Sequence, residues 1–332
     1  MYATPAGTSR YAARFPEFAA ARFYREAAGL SLSTLGIGTY LGQPDEAADE
    51  AYTASVLAAL DGGINLIDTA INYRHMRSEK SVGAALRQAR RDEVVVCTKA
   101  GFLTPGAVPD GLSRDDVAGG MHSMAPAFLA DQIARSCANL GVEAIDVFYL
   151  HNPETQLGFV SREAFDGRIR AAFAMLERQV QEGRIRCYGA ATWEGFRRKG
   201  ALDLARMAEL AREESGEQHH FRFIQLPFNL GMVEAFVDRP ESVLETAARL
   251  GIAVIASATL MQARMLNQMP EAVAELLPGL RTDAQRAIQF TRSTPGIAAA
   301  LVGMSDAAHV RENLEVACVA PASRPQYLRL YQ

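Results

Sequence analysis

Ile64-Asn65-Leu66-Ile67-Asp68-Thr69-Ala70-Ile71-Asn72-Tyr73 is the stretch from which the fold is read. Gly62-Gly63, just ahead of it, closes the amphipathic segment Ala47–Leu60 in the manner of a helix end. The apolar run after the glycines is short and stops on an ionisable residue, Asp68. A strand buried on both faces reads as such a continuous run, and a parallel neighbour needs a helical crossover. Asn65–Asp68 is therefore expected to be one strand of a parallel sheet.

The same unit recurs along the chain. Strands are expected at Thr34–Gly38, Asn65–Asp68, Glu93–Thr98, Ile145–His151, Ile185–Gly189, Phe223–Gln225, Ile252–Ala256 and Ala299–Val302. Helices are expected at Ala47–Leu60, Glu79–Arg90, Ala127–Leu140, Ile169–Glu182, Leu202–Glu214, Pro240–Leu250 and Asp283–Ser293, with Gly141, Gly183 and Gly251 as stop signals. Eight strands favour a closed (β/α)8 TIM barrel over an open doubly wound sheet of six strands with two extra elements. Although 332 residues would alone suggest two domains, a barrel with insertions fits as one. The expected division is an N-terminal extension, 1–22, and a barrel, 23–332. Three segments break the rhythm: Met1–Leu30, rich in aromatic residues and Arg, and the loops Gly101–Met124 and His151–Arg168. Loops that follow barrel strands lie on the face where chemistry occurs, so these two are the expected substrate walls.

Three strands end on ionisable residues: Asp68, Lys99 and His151, with Tyr73 five residues beyond Asp68. Singly, each has an ordinary explanation. A strand-end Asp caps the next turn of chain, a lone His is usually structural, and a Lys snorkels to water. Together they are delivered to one end of the barrel, and they suit reduction of a carbonyl by hydride. The developing oxyanion needs a proton, and a tyrosine, with an ordinary pKa near 10, holds one at neutral pH. A neighbouring ammonium makes that hydroxyl more acidic, and a carboxylate keeps the ammonium charged and in place. Tyr73 is thus the expected acid, Lys99 its activator, Asp68 the partner of Lys99, and His151 an N–H donor orienting the carbonyl.

Composition narrows the alternatives. Hydrophobic residues make up 49% of the chain, enough for a sizeable core. The net charge is −4 with only short basic clusters, which excludes a nucleic-acid or anionic-membrane footprint. Cys97, Cys137, Cys187 and Cys318 are widely spaced, as suits free thiols rather than a disulfide framework or zinc site. No apolar run has the length of a membrane span, and Met1–Ala20 lacks a signal-peptide core. A soluble, cytoplasmic protein is expected. Gly36-x-Gly38-x-x-x-Gly42 misses the dinucleotide fingerprint by one place. His219-His220 sits in a polar stretch and reads as a solvated loop rather than a metal site.

Leu35-Gly36-Ile37-Gly38-Thr39-Tyr40, Ile67–Tyr73 and Leu150-His151-Asn152-Pro153-Glu154 resemble signatures of the aldo-keto reductases. The resemblance runs in order from about Phe23 to Ala317. It implies the same four roles, and a nicotinamide cofactor held without a Rossmann domain. It places Gly38, Thr39 and Tyr40 beside the nicotinamide, and Gln225 on its carboxamide. Gly303, Met304 and Ser305 fall at the phosphate side, where a helix start would offer backbone N–H groups to an anion. Glu312 and Asn313 fall near the adenine. Where the family often has Ser-Asn this chain has Ala191-Thr192, and in place of a stacking aromatic it has Ser257. Leu260 follows, then Met261-Gln262-Ala263-Arg264 in place of a glycine-rich run. His309 stands where a basic residue often meets the 2′-phosphate, and Arg264 is a candidate to supply that charge. NADP(H) is favoured, with NAD(H) admitted.

Tyr40, Met121, Trp193 and Phe196 are the expected pocket wall, for small aldehydes or ketones without a dedicated charge. A rival expectation is a cofactor-binding regulatory or assembly subunit of the same architecture, with Tyr2–Tyr24 as an oligomer or partner arm.

Overall fold

The computed structural model of the chain describes residues 1–264, 266 and 269–331; Gln332, the end of the expected barrel segment, lies outside them. All eight expected strands form: β1 Leu35–Gly38, β2 Leu66–Asp68, β3 Val95–Ala100, β4 Ile145–His151, β5 Ile185–Ala191, β6 Phe221–Pro227, β7 Ala253–Ser257 and β8 Ile297–Gly303. They pair in parallel with their chain neighbours, and β8 pairs with β1 to close the barrel. The main helices around the barrel are α1 Glu46–Asp61, α2 Arg77–Leu86, α3 Pro126–Leu140, α4 Arg162–Gln181, α5 Leu204–Ser215, α6 Val243–Leu250, α7 Asp283–Ser293 and α8 Ala307–Leu314.

Differences from the expected boundaries have local causes. Helix α4 starts seven residues early because Ser161 caps it, accepting from Ala164 N at 3.2 Å. The expected loop after β4 therefore shrinks to a 3-10 turn, Pro153–Gly158, and a short link. Helix α6 starts at Val243 instead of Pro240 because Ser242 and Glu245 form a reciprocal capping box. Strand β3 starts after Glu93, whose carboxylate is held by Arg10 at 2.8 Å and Arg14 at 3.0 Å. The His219-His220 stretch is not a solvated loop. His219 is buried, and His220 Nδ1 lies 2.7 Å from Glu177 Oε2, a buried carboxylate that needs partners.

The N-terminal segment, expected as an extension outside the barrel rhythm, forms two short helices, Pro5–Ala12 and Pro16–Ala20, then a hairpin, Tyr24–Ala27 with Leu30–Ser33. Its apolar side chains are used on the chain's own barrel. Tyr11 donates to the carbonyls of Leu60 at 2.5 Å and Ile64 at 3.1 Å. Ala3, Ala27, Leu30 and Leu32 close the lower end of the barrel interior, in one cluster with Leu66, Val95, Val147, Phe223 and Ile255.

Side chains alternate in and out along a strand, so each inward row is a period-two series. On β3 the row is Val95, Cys97, Lys99; on β4 it is Val147, Tyr149, His151; on β2 it is Leu66, Asp68. The lower members are apolar and packed together, and the polar members sit at the upper end. Each row buries hydrocarbon below and presents chemistry above. The four cysteines are free. Among the described residues no helix is long and apolar enough to cross a membrane.

Gly189 on β5 is where the barrel wall tolerates no side chain. A Cβ there would meet the Phe223 carbonyl oxygen at 2.1 Å, and backbone cannot step aside as a side-chain tip does. Gly189→Ala is expected to destabilise the fold by about 1–3 kcal/mol in urea unfolding, at the overpacking scale. An unchanged midpoint would show that the wall yields more easily than its geometry indicates.

Candidate active site

Lys99 is fully buried at the top of β3, and its ammonium is satisfied from two sides. Nζ donates to Asp68 Oδ1 at 2.6 Å and to the Thr69 carbonyl at 2.7 Å. Its third contact is the Tyr73 hydroxyl, at 3.4 Å. Asp68 uses its other oxygen to accept from Gln225 Nε2 at 2.7 Å, so β2, β3 and β6 are joined through one carboxylate. His151 closes the group from β4, its ring edge-on to Tyr73 with centroids 5.8 Å apart. The structure thus brings together Tyr73 and the strand-end residues Asp68, Lys99 and His151, and it shows Gln225, expected on the nicotinamide carboxamide, bonded to Asp68.

The electrostatics follow from burial opposed by pairing. Burial alone would lower the Lys99 ammonium, but Asp68 and Tyr73 together hold it above the usual lysine range. Burial pushes the Asp68 carboxyl up, and Lys99 and Gln225 pull it back only in part. Burial likewise raises the Tyr73 hydroxyl, and Lys99 offsets that in part. This corrects the expectation that the ammonium would leave Tyr73 net more acidic than a free tyrosine: desolvation wins. Burial, with the Lys99 charge, drives His151 well below the ordinary histidine value, so its imidazole is neutral at pH 7. Its Nδ1 is buried without a partner.

Behind His151 lies a chain of contacts that sequence reasoning missed. Arg168 donates to Gln156 Oε1 at 2.8 Å, which turns the Gln156 amide so that Nε2 faces His122 Nδ1 at 3.1 Å. Nδ1 must then accept, so the proton of His122 sits on Nε2 and is donated to the His151 carbonyl at 2.8 Å. Burial pushes the His122 imidazole down to about 4, consistent with that neutral form. Glu154 was also missed as an anchor: its Oε1 accepts from the backbone N–H groups of Trp193, Glu194 and Gly195 at 2.9, 3.0 and 3.0 Å. One carboxylate therefore fixes the loop after β5. His122, Glu154 and Gln156 lie in short segments where no periodicity marks them, and Arg168 lies on the part of α4 expected as loop.

The remaining candidates divide by position. Tyr40 is exposed, and its ring meets Tyr73 edge-on at 4.9 Å; Met121 and Trp193 are also exposed. Phe196 is not at an open wall but buried in the apolar core. Thr39 and Thr192 are buried, each with its N–H on a neighbouring strand carbonyl, Asp68 at 3.1 Å and Gln225 at 2.9 Å. Ser257 and Leu260 are half-buried at the end of β7, and Arg264 is exposed. Gly303, Ser305 and His309 are exposed, Met304 is buried, and Glu312 is half-buried. Asn313 is buried, with its Oδ1 lacking a partner. At the start of α8, Asp306 Oδ1 accepts from Ala308 N at 2.7 Å. A carboxylate therefore already occupies part of the helix start expected to greet an anion.

Gly38 and Gly303 are register partners at the tops of β1 and β8. A Cβ at Gly38 would come no nearer than 3.7 Å to anything, and one at Gly303 no nearer than 4.0 Å. Two bare backbones side by side form an open floor suited to close approach by a flat ligand.

Comparisons with known proteins bear on the family and the fold. A model of the aldo/keto reductase family matches residues 34–329. The chain belongs to the aldo/keto reductase family. A D-threo-aldose 1-dehydrogenase of a Pseudomonas species is 36% identical over 174 residues, covering 49% of this chain and 51% of that protein. An NADH-specific methylglyoxal reductase of Escherichia coli K12 is 31% identical over 169 residues, covering 49% of each. The chain thus spans about half the length of the curated relatives it matches. An aldo/keto reductase from Klebsiella pneumoniae, solved in complex with NADP and acetate, superposes with a TM-score of 0.67 over 92% of this chain and 93% of that one. At 22% identity it speaks for the fold.

Two expected outcomes follow for this family member. Lys99→Met leaves the Asp68 carboxyl buried without a counter-ion, with Gln225 its remaining partner, which costs about 3–5 kcal/mol of unfolding free energy. Adding Asp68→Leu should recover part of that loss; a double variant no more stable than Lys99→Met would count against the pairing. For His122, the folded value of about 4 lies below the ordinary 6.5. The native state then binds fewer protons between those values, so stability is full above pH 6.5 and drains as pH falls toward 4. His122→Gln should show a shallower fall over that window, and an equal slope would contradict a buried neutral imidazole.

Proposed function

We propose that this family member is an NAD(P)H-dependent reductase of small aldehydes and ketones, with Tyr73 as the general acid. The observation that carries the reading is the Tyr73 hydroxyl 3.4 Å from a paired Lys99 ammonium and edge-on to a neutral imidazole. A reduced nicotinamide, when bound, supplies the hydride to the carbonyl carbon. Everything else falls to the chain. His151 donates an N–H to the carbonyl oxygen and fixes its direction. Tyr73, kept protonated by burial, gives its proton to that oxygen as charge develops. Lys99 stabilises the tyrosinate left behind, and Asp68 and Gln225 hold Lys99 in place.

The residues present fit a nicotinamide cofactor. Gly38 and Gly303 supply the open floor, and Asn313 offers a buried, unpartnered acceptor. NADP(H) stays favoured on the strength of Arg264 and His309, both exposed on the cofactor side of the family pattern. NAD(H) is admitted because Asp306 opposes further negative charge at the start of α8. The exposed side chains of Tyr40, Met121 and Trp193 make the pocket wall, and they suit an uncharged substrate.

The test is turnover at 340 nm with NADPH and NADH in parallel, over a carbonyl panel that includes methylglyoxal and an aldose. Tyr73→Phe should lower kcat by about 10²–10⁴-fold while cofactor affinity stays unchanged. Because burial raises the acid above the ordinary tyrosine value near 10, the reduction rate should stay level from about pH 6 up to about pH 10 and fall only above it. Turnover that survives Tyr73→Phe overturns the acid. Cofactor binding without turnover on any carbonyl points instead to the regulatory-subunit reading.

A further inference from the structure

We propose that Arg74 is a positioning residue for Tyr73, its guanidinium clamping a strained turn that would otherwise carry the acid away from Lys99. The proposal rests on the reductase reading, with Tyr73 as the proton donor. Arg74, His75 and Met76 follow Tyr73 directly and have φ values of 50°, 54° and 67°. None is a glycine, and the left-handed region crowds the Cβ of an L residue against its following carbonyl. Three such residues in succession persist only where the surroundings over-determine them.

Arg74 provides that determination. Its side chain is 1% exposed and reaches back to the loop after β1. Nε donates to the Gln43 carbonyl at 2.8 Å, and Nη2 donates to the Asp45 carbonyl at 3.1 Å and to Asp49 Oδ1 at 2.6 Å. The guanidinium lies over the Tyr52 ring at 5.3 Å, and the Tyr52 hydroxyl holds the Leu41 carbonyl at 2.6 Å. Asp49 turns its second oxygen to Arg77 at 2.6 Å, which ties the start of α2 to α1. Two mouth loops, one carrying Tyr40 and the other Tyr73, are thereby locked together, and their rings meet at 4.9 Å. The lock matters because the Tyr73–Lys99 contact, at 3.4 Å, is already at the limit of a hydrogen bond. A relaxation of the turn by a fraction of an ångström breaks it.

The test uses Arg74→Met, the milder Arg74→Lys, and Arg74→Met combined with Met76→Gly, which removes strain at one turn position. Readouts are kcat, KM, cofactor affinity by fluorescence quenching, and amide hydrogen exchange of the segment 73–78. Arg74→Met should lower kcat about tenfold or more with cofactor affinity within about twofold, as expected for a misplaced reacting group. Exchange in the segment should quicken, and Arg74→Lys should fall between. With glycine at 76 the turn needs less restraint, so the double variant should regain most of the lost kcat. If Arg74→Met does not fold, the same comparison is read on Arg74→Lys alone and combined with Met76→Gly. The proposal is overturned by a kcat within about twofold of the native protein's despite quickened exchange, or by a double variant no better than the single one. Absence of turnover in the native protein sinks the reductase reading, whereas unchanged exchange in Arg74→Met sinks the clamp whatever the turnover.

Discussion

The Lys99–Asp68 ion pair is the constraint on which the upper half of this barrel depends. An ammonium buried at the end of a strand has lost its water, and only full pairing makes that tolerable. Here a carboxylate from β2 and the Thr69 carbonyl at its end supply the pairing, and Gln225 from β6 restrains the carboxylate in turn. Three strands that are not all neighbours are therefore held at a fixed spacing by charge-assisted bonds. The barrel in turn keeps water out, and that keeps those bonds strong. Fold and site are one problem: apolar rows below remove the solvent, and polar row-ends above use its absence.

That same burial decides which way each proton sits. Desolvation disfavours the charged form of every group at the mouth, so the tyrosine stays protonated and the imidazole neutral. Both become donors in the resting state. The ammonium is the exception because three acceptors converge on it, and its charge is then available to meet the negative charge a proton donor acquires. A site of this kind is set for donation before any ligand arrives.

The barrel and the four central residues are legible in the sequence because both are written in short-range pattern. Continuous apolar runs with glycine stops mark eight strands, and Asp68, Lys99 and His151 are visible as ionisable ends to such runs. Contact between side chains far apart in the sequence and outside the strand pattern is not legible in this way. Nothing in the spacing of Arg168, Gln156 and His122 announces that they converge behind His151. Nothing at Glu154 says that it will receive three backbone N–H groups from a loop about forty positions on. Phe196 is misplaced by sequence reading for the same reason, since an aromatic in a loop is equally suited to a wall and to a core until its neighbours are known. The start of helix α8 is anticipated only through the family resemblance, and its capping Asp306 is missed because the same N–H groups are there assigned to an anion.

The cofactor side shows how a local choice constrains function. Bare glycines at the tops of β1 and β8 leave the floor open next to the reducing group, so that end needs no side chain of its own to receive a flat ring. The far end is different. A helix start is attractive to an anion through its free N–H groups and its dipole, and Asp306 consumes one and opposes the other. In the proposed reading, a preference for a phosphorylated ribose would come from side chains, and the candidates in this chain, Arg264 and His309, are exposed rather than buried. In that reading, recognition of the reacting ring falls to backbone geometry and recognition of the distant ribose to surface charge. The second is the easier of the two to change without disturbing the barrel.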